Sequence, residues 1–281
     1  MARQQLNLRP TERNDLSPHH LSTPHGLCLS YGKEERIVLA DTMNHSIKFF
    51  DTAGKFQYQF QNSGPDRTYL CCPRKVAVIG EGDSSCVVVC DRTSQIRSRL
   101  QIFKMNGYLW RSIDMEYIEI VAGLAVTPSG LIVAADSVVP AVCTLSGRGE
   151  LLRWFDCSDE MKEPSDIAVT DNLFYVSDFK GHCIVEFHPY GQFLRRIGRD
   201  SSISFPNGID ISHRGYLLVA DSHGNRVHIT VFRPDGTQIG AFEYSDLEVS
   251  RCCGLKITAE GYLVTLAKTD SRGLIFDRLY I

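Results

Sequence analysis

Basic side chains recur at equivalent places along this chain of 281 residues. They lie either in the short segment after an aliphatic run that ends in Asp, or just before the next aliphatic run. In the first kind of segment only Asp270 opposes them, apart from the Asp that ends the run. Guanidinium and ammonium groups form charge-assisted hydrogen bonds with phosphate, so the pattern indicates a surface for a polyanion. The basic candidates are Arg74, Lys75, Arg92, Arg97, Arg99, Lys180, Arg226, Arg251 and Lys268.

Aromatic and amide side chains occupy the same segments. Sequence-specific recognition of RNA stacks splayed bases on aromatic or arginine planes and forms hydrogen bonds with the base edges. Two alternatives stay open, because Phe205 could pack within the fold and Asn207 could only stabilise its turn. The candidates for stacking are Tyr69, Phe179, Phe205 and His223, and those for edge contacts are Asn44, Asn207 and Asn225.

The aliphatic run that ends in Asp occurs five times, followed each time by an aromatic residue or Leu, a glycine turn and a further strand. The repeat has a period of 42 to 53 residues. A period of about 45 residues with several short strands is typical of the blades of a β-propeller. The Asp residues are Asp41, Asp91, Asp136, Asp178 and Asp221, and the turn glycines are Gly54, Gly107, Gly149, Gly191 and Gly236.

Each repeat is predicted to form four strands in an antiparallel meander. In the fourth repeat these strands are expected at residues 164–169, 173–176, 183–187 and 192–197. A sixth repeat starts at Cys253, carries Ala267 in place of Asp, and reaches Ile281 before a fourth strand. We therefore predict an all-β fold, a six-bladed β-propeller of four-stranded antiparallel blades that forms a single domain over residues 1–281.

The N-terminal segment is predicted to close the ring. The sixth repeat lacks its outer strand, and an unpaired strand edge is a liability. Residues 4–8 alternate polar and apolar side chains, so we expect them to supply the missing outer strand of the last blade. Residues 10–24 are expected to form an irregular connector.

The recurring Asp has a structural explanation. An Asp at the end of a strand caps the following turn by accepting hydrogen bonds from the backbone amides of that turn. Five equivalent Asp residues in five blades suit a structural role better than five active sites.

The propeller geometry predicts where the basic candidates gather. The loop from the second to the third strand of a blade opens on the same face as the connector from the fourth strand to the next blade. This face is predicted to be basic near blades one, two and four to six, and acidic near blade three. The acidic residues of the connectors are Asp114, Glu116, Glu119, Asp159, Glu160 and Glu163.

The bulk properties exclude some classes of protein. The formal net charge is −3, which argues against a protein that is basic all over but permits one basic face. No apolar run is long enough to span a membrane, and residues 1–10 contain no apolar signal-peptide core. The ten cysteines show no Cys-x-x-Cys zinc spacing, and we expect free, mostly buried thiols in a reducing compartment. No metal and no cofactor are predicted.

The repeat resembles the NHL repeat. The pattern has Pro-x-Gly at the start of a blade. Further on it has four consecutive residues: an aliphatic residue, Ala, Asp, and then Ser or Thr. It is clearest at residues 24–26 with 39–42, and at residues 206–208 with 219–222. The resemblance covers about residues 20–281. Within this family the chain is similar to the C-terminal domain of TRIM-NHL proteins of the Brain tumor type.

The resemblance implies a function as well as a fold. It implies a six-bladed propeller that binds short, U-rich single-stranded RNA on one face and represses the bound messenger RNAs. The expected partners are 3′ untranslated regions and corepressor proteins, with no membrane. We expect a monomeric domain in the cytoplasm. The RING, B-box, coiled-coil and filamin parts of that family are absent from this sequence, so a fragment of a longer protein is expected.

Two other classes of function are compatible with a propeller. Six-bladed propellers of related pattern include lyases and lactonase-like enzymes that hold metal ligands in the central channel. Here only His25 lies at the start of an inner strand, and metal ligation needs several convergent side chains. No enzyme activity is therefore predicted. A platform for protein partners stays open as the alternative, because acidic residues around 159–163 could recruit one.

Overall fold

The computed structural model of this chain is built from β-strands. It describes residues 4–5, 10–15, 21–32, 34–61, 69–92, 98–198, 203–244, 249, 251–267 and 272–279. Within these residues, the strands form six sheets, and the only helical segments are two short 3-10 turns at Thr42–Asn44 and Gly82–Ser84. The first strand of each sheet contacts the first strands of both neighbouring sheets, so the sheets stand as blades around a pore. The predicted six-bladed β-propeller is confirmed.

Each of the first five blades uses four consecutive strands, and the first strand lies at the pore. Blade one contains β3 (Pro24–Ser30), β4 (Arg36–Asp41), β5 (Ser46–Asp51) and β6 (Phe56–Phe60). Blade two contains β7 (Lys75–Ile79), β8 (Cys86–Arg92), β9 (Ser98–Lys104) and β10 (Leu109–Asp114). Blade three contains β11 (Val121–Val126), β12 (Ile132–Asp136), β13 (Ala141–Leu145) and β14 (Leu151–Asp156).

The remaining blades include the two N-terminal strands. Blade four contains β15 (Pro164–Val169), β16 (Phe174–Asp178), β17 (Cys183–Phe187) and β18 (Phe193–Ile197). Blade five contains β19 (Pro206–Ile211), β20 (Leu217–His223), β21 (Arg226–Phe232) and β22 (Gln238–Tyr244), with β1 (Gln4–Gln5) at its edge. Blade six contains β23 (Cys252–Ile257), β24 (Tyr262–Ala267), β25 (Arg272–Arg278) and β2 (Pro10–Asp15).

The residue pattern of a strand follows its place in the blade. Middle strands such as β12 and β16 are buried along their whole length, because the neighbouring blades cover both faces, and their sequences are runs of apolar residues. Outer strands such as β6 and β14 alternate buried or half-buried residues with exposed ones. The radial packing of the blades therefore explains both patterns: exposed and buried side chains alternate in outer strands, and apolar residues are continuous in middle strands.

The hydrophobic core is divided among the interfaces between neighbouring blades. Val133 of blade three, for example, packs in one cluster with Phe174 of blade four. Blade six packs on blade one in the same way, since Val264 shares a cluster with Leu39. Apolar packing therefore continues around the whole ring and closes it.

The closing strand of blade six differs from the predicted segment. β2 pairs with β25 in antiparallel register, with Pro10 opposite Phe276 and Asp15 opposite Leu274. β1 instead pairs in parallel with β22 of blade five. The prediction that residues 4–8 form this strand is wrong, and so is an irregular connector from residue 10; residues 6–8 themselves lie outside the described residues. Closure by an N-terminal strand is confirmed.

The spacing from β2 to blade one is the same as one other spacing between blades. In blades four and five, the outer strand ends at Ile197 and the next inner strand starts at Pro206. β2 ends at Asp15 and β3 starts at Pro24, which is the same spacing. The connector from Phe60 to Lys75 is nearly twice as long, so the pairing with β25, rather than the spacing, identifies β2 as the closing strand.

Glycine is required where inner strands meet. A Cβ atom added at Gly208 would lie 2.5 Å from the carbonyl carbon of Gly254 in the next blade, closer than any side chain permits. The Pro-x-Gly at the start of a blade therefore allows two backbones to approach at the pore. The turn glycine of each repeat has left-handed backbone angles, as Gly54 (φ 83°) and Gly191 (φ 91°) show.

The cysteines agree with the prediction of free thiols. All ten are free, and seven of them are buried, while Cys71, Cys72 and Cys86 are half-buried. The reducing compartment stays a prediction. In the described part of the chain, no helix has the length and apolar character needed to cross a membrane.

Candidate nucleic-acid interface

The loops that carry most candidates do share one face of the propeller. In blades one to five, the Asp that ends the second strand accepts hydrogen bonds from the connector that precedes the blade: Asp91 accepts from the amide of Cys71 (2.9 Å) and Asp136 from that of Glu119 (2.7 Å). The end of the second strand and the incoming connector therefore lie together. We call this side, with the ends of β4, β8, β12, β16, β20 and β24, the upper face.

The recurring Asp residues have a structural role, as predicted, but their main partner is different. Each accepts hydrogen bonds from the connector that comes before its blade, as Asp178 does from Lys162 (3.0 Å) and Glu163 (2.9 Å). Asp178 also reaches the amide of Gly181 in the following turn (3.0 Å), which is the contact that was predicted. These buried carboxylates fasten successive blades to each other rather than only capping turns.

Arg99 does not belong to an RNA-binding surface. Its side chain is only 3% exposed, and its guanidinium donates to both carboxylate oxygens of Asp91 (2.9 and 2.6 Å) and to the carbonyl of Tyr69 (3.0 Å). Burial alone would lower the pKa of Arg99, but the hydrogen bonds and charge of Asp91 raise it. The prediction for Arg99 was wrong because Asp91 lies opposite it in the β8–β9 register. Arg97 lies outside the described residues.

Lys75 is also bonded within the fold rather than exposed on the upper face. Its ammonium pairs with Asp166 of blade four (3.3 Å), although 91 residues separate the two, so the pair lies at the pore. A second pair joins Lys256 to Asp210 (2.9 Å). Burial alone would lower the pKa of Lys256, but Asp210 and Asp166 raise it. These ion pairs hold the inner strands together, and the prediction that Lys75 contacts phosphate is corrected.

Aromatic candidates of blades four and five converge in a cluster that we call the stacking cluster: Phe179, His182, Phe205 and Arg251. The rings of Phe179 and Phe205 are 5.2 Å apart between centroids, and His182 lies edge-on to Phe205 at 5.2 Å. The guanidinium of Arg251 lies over the ring of Phe179 at 4.9 Å. Phe205 is 37% exposed, so it both packs on Phe179 and presents ring surface to solvent.

Asn207 positions Arg251 instead of meeting a ligand. Its side chain is only 4% exposed, and its Oδ1 accepts from Nε (3.1 Å) and Nη2 (2.9 Å) of Arg251. Its Nδ2 donates to the carbonyl of Phe205 (3.3 Å). The prediction that Asn207 contacts a base edge is corrected, because its polar atoms are already bonded within the fold.

Arg74 and Arg92 form what we call the arginine pair. The backbone amide of Arg74 donates to the carbonyl of Cys90 (2.8 Å), which stands two residues before Arg92. Burial, then the charge of Arg92, lowers the pKa of Arg74. Neither side chain has an ion-pair partner among the described residues, and the Nε atom of Arg92 is buried without a hydrogen bond. Like charges held together without a carboxylate are suited to an anion such as phosphate.

The tip of blade five is exposed but partly neutralised. Arg226 is exposed and forms an ion pair with Glu243 across the β21–β22 pair. His223 stacks on His228 with 3.6 Å between ring centroids and contacts Asp221 (3.3 Å). Asn225, at the loop tip, has left-handed angles (φ 59°) and an exposed side chain. The three candidates lie together, and one face of His223 is covered.

Other candidates are scattered at the rim. Lys180 is exposed and pairs with Glu163 (2.6 Å), which lowers its value as a phosphate ligand. Asn44 donates to Asp41 (2.8 Å), and Tyr69 is half-buried. Lys268 lies outside the described residues.

Sequence reasoning missed two features of this face. The first is His182, which completes the stacking cluster through its contact with Phe205. Its left-handed backbone (φ 56°) in the β16–β17 loop is visible in the structure but not in the sequence. Near blade three, Tyr117, Val138 and Val139 are exposed beside the predicted acidic residues. Exposed apolar side chains cannot be told from buried ones by residue type alone.

The opposite end of the pore contains a cavity of about 780 Å³. Polar groups in its lining include Tyr31, Glu81, His213 and the Lys256–Asp210 pair. Burial, then the charge of Asp210, raises the pKa of Tyr31 to about 12, so this phenol stays protonated at neutral pH.

Known proteins share features of this chain. The NHL repeat model matches residues 161–187. "Protein brain tumor" from Drosophila melanogaster is 31% identical over 127 residues, which are 45% of this chain and 12% of that protein. "B-box type zinc finger protein ncl-1" from Caenorhabditis elegans is 33% identical over 236 residues, 84% of this chain and 27% of that protein. The chain thus spans about a quarter or less of the length of these relatives.

Solved structures share the architecture at low identity. Virginiamycin B lyase from Staphylococcus aureus has a TM-score of 0.62 at 14% identity, covering 98% of this chain and 90% of that one. A putative gluconolactonase has a TM-score of 0.66 at 12% identity, covering 96% and 94% of the two chains. Likeness at this identity concerns the fold alone.

Proposed function

Because this chain is an NHL-repeat domain of the TRIM-NHL type, related to Brain tumor and ncl-1, we propose that it binds single-stranded RNA on its upper face. The bound RNA is a short U-rich element in the 3′ untranslated region of messenger RNAs. The domain acts in post-transcriptional repression in the cytoplasm, as a monomer that recruits corepressor proteins. It uses no catalytic step.

The stacking cluster is the observation that carries this proposal. An unpaired base can stack on the exposed ring surface of Phe205, which Phe179 and His182 hold in place from behind. Arg251 adds a planar cation whose orientation is fixed by Asn207. Stacking contributes about 1–3 kcal/mol per base, and planes held in place lose little entropy on binding.

The arginine pair supplies a phosphate contact. Arg74 precedes β7 and Arg92 ends β8, so both belong to the upper face of blade two. Two guanidinium groups without a carboxylate partner can each donate to phosphate oxygens, whereas Lys180 and Arg226 must first leave Glu163 and Glu243. The strand of RNA therefore runs across part of the ring, from blade two to blades four to six, and avoids the acidic blade three.

A selection from a random RNA pool tests the proposal. The purified domain should retain RNA on a filter and enrich a short U-rich motif. Phe205→Ala should weaken the affinity for that motif by about 1–3 kcal/mol and change the preference for bases.

Tyr190→Ala is the matched control. Tyr190 is an exposed aromatic residue under the guanidinium of Arg153 (4.0 Å), but it lies in the turn between β17 and β18, on the opposite face. Its removal should leave RNA binding unchanged. Equal losses in both variants, or no retained RNA, would contradict the proposal.

A platform for protein partners is the second candidate function. Tyr117, Val138 and Val139 are exposed on the upper face near Glu116 and Glu119, which RNA would avoid. Aromatic and aliphatic side chains at the surface are typical of protein contacts. Failure to retain any RNA from the pool would favour this function over RNA binding.

A further inference from the structure

Three side chains that can ligate a metal meet on the upper face between blades one and two. His45 lies in the loop between β4 and β5, and Cys71 and Cys72 lie in the connector before β7. One potential ligand atom of each residue lies within 4.8 Å of those of the other two. The sequence does not indicate this cluster by a Cys-x-x-Cys spacing, because its ligands come from two different blades.

We propose that His45, Cys71 and Cys72 bind a thiophilic divalent cation, Zn²⁺, and leave a fourth coordination position open. Zinc accepts imidazole nitrogen and thiolate sulfur in tetrahedral geometry, and softer sulfur ligands select it over Mg²⁺ or Ca²⁺. This site lies apart from the stacking cluster, and the proposal does not depend on RNA binding.

The distance between ligand atoms fits a tetrahedral ion. Sγ of Cys72 lies 3.8 Å from Nδ1 of His45. Ordinary Zn–S and Zn–N bond lengths at a tetrahedral angle place such atoms about 3.6 Å apart. The pair therefore needs a shift of only a few tenths of an ångström to share a cation.

The ring nitrogen of His45 that faces the thiols is an acceptor. The backbone amide of Cys72 donates to Nδ1 of His45 (3.0 Å). An amide can only donate, so Nδ1 carries a lone pair rather than a proton, which is the form that binds metal. Binding exchanges this hydrogen bond for a metal bond without removing a proton from the ring.

The backbone around the ligands is held in place. Asp91 accepts from the amide of Cys71 (2.9 Å), and the amide of Arg92 donates to the carbonyl of Cys71 (3.1 Å). The amide of His45 donates to the carbonyl of Thr42 (3.2 Å). The backbones of Cys71 and His45 are therefore held in place before the cation binds.

Accessibility and position distinguish this pair of thiols from the others. Seven cysteines are buried, and Cys86 is half-buried but lies alone at the opposite face, whereas Cys71 and Cys72 are half-buried next to His45. Two thiolates and a neutral imidazole compensate the charge of Zn²⁺, so the filled site is neutral beside Arg74. The cation would tie the blade-one loop to the connector that leads into the arginine pair.

A cobalt titration tests the proposal. The chain is stripped with a chelator, kept reduced with a phosphine, and titrated with Co²⁺, followed by displacement with Zn²⁺. One equivalent of Co²⁺ should produce sulfur-to-cobalt charge-transfer absorption and the strong visible bands of tetrahedral coordination, and Zn²⁺ should abolish both. Cys72→Ser should weaken binding by more than about 10-fold. His45→Ala should weaken binding while the charge-transfer absorption remains.

Cys86→Ser is the control, because Cys86 is another half-buried thiol of blade two but starts β8 at the opposite face. It should bind Co²⁺ as the unchanged chain does. Circular dichroism of each variant checks the fold, and His45→Ala, which removes no thiol, keeps the test valid if Cys72→Ser unfolds. Absent charge-transfer bands in the unchanged chain, or folded Cys72→Ser and His45→Ala variants that both bind Co²⁺ as tightly as the unchanged chain, overturn the proposal.

Discussion

The nearest carboxylate decides what each arginine of the upper face does. Arg99 forms a bidentate, buried ion pair with Asp91, whereas Arg226 forms an exposed ion pair with Glu243. Arg74 and Arg92 have no such partner among the described residues and keep their charge available. The same side chain is thus a structural brace, a surface ion pair or a candidate phosphate ligand, according to what the fold places beside it.

The buried Arg99–Asp91 pair should contribute strongly to stability. Arg99→Met leaves the buried Asp91 carboxylate without its partner and should lower the free energy of unfolding by about 3–5 kcal/mol. Arg226→Met removes an exposed pair and should cost less than about 1 kcal/mol. Urea unfolding of both variants measures the difference. Similar losses in the two variants would contradict the assignment of Arg99 to the core.

Stability should also depend on pH through His228. Burial, then the charge of His223, lowers the pKa of His228 below its ordinary value, although Glu243 and Asp221 act in the opposite direction. The unfolded chain therefore binds this proton more readily than the folded one. The stabilisation is present above a pH of about 6.5 and is lost as the pH falls towards the lowered pKa.

Thermal unfolding between pH 5 and 7 measures this effect. The unchanged domain should lose stability as the pH falls through this range, and His228→Gln should reduce the slope. A slope that is the same in both proteins would show that His228 does not titrate differently in the folded state.

At the scale of elements, the interblade connectors set where each outer strand lies. The connector must carry the chain from the rim of one blade to the pore of the next, and the recurring Asp anchors it on the way. The spacing is the same from β18 to β19 and from β2 to β3, and it is longer from β6 to β7. The N-terminal strand therefore belongs to blade six because it precedes blade one.

Truncation of the N-terminus tests this assignment. Removal of residues 1–15 exposes the edge of β25 and should lower the melting temperature by at least about 5 °C, since each kcal/mol corresponds to a few degrees in a domain of this size. Removal of residues 1–5 deletes only β1, which pairs with β22 at two positions, and should have a small effect. An unchanged melting temperature for the longer deletion would refute closure by β2.

At the scale of the molecule, RNA binding should depend on salt through the arginine pair. Each phosphate contact made to a single strand adds about 0.7 to the slope of log affinity against log salt. The double variant Arg74→Ala/Arg92→Ala should therefore lower this slope by about 1.4 and weaken binding to all sequences. Arg153→Ala, on the opposite face, should leave the slope unchanged. Filter binding over a salt series measures the slope for each variant. If the double variant has the same slope as the unchanged domain, Arg74 and Arg92 do not contact phosphate.

Much of the architecture follows from the sequence alone. The recurring Asp, the turn glycine and the Pro-x-Gly at the start of a blade each act through neighbours in the same or the adjacent blade. Their hydrogen bonds and close contacts recur in most copies, so the period of the repeat is enough to predict the fold, the number of blades and the shared face. The alternation in residues 4–8 indicated the wrong segment for the closing strand, and the pairing of β2 with β25 corrects it.

Only the tertiary structure decided which candidate side chains face a ligand. Lys75 is bonded to Asp166, 91 residues away, and Asn207 to Arg251, 44 residues away. His45 and Cys72, which belong to different blades, meet in the same manner. Such pairs form where the closed ring brings unrelated segments together, and their energies depend on distances that no local pattern specifies. The physical reason is that backbone periodicity is a short-range property, whereas the partner of a charged or polar side chain is set by packing through space.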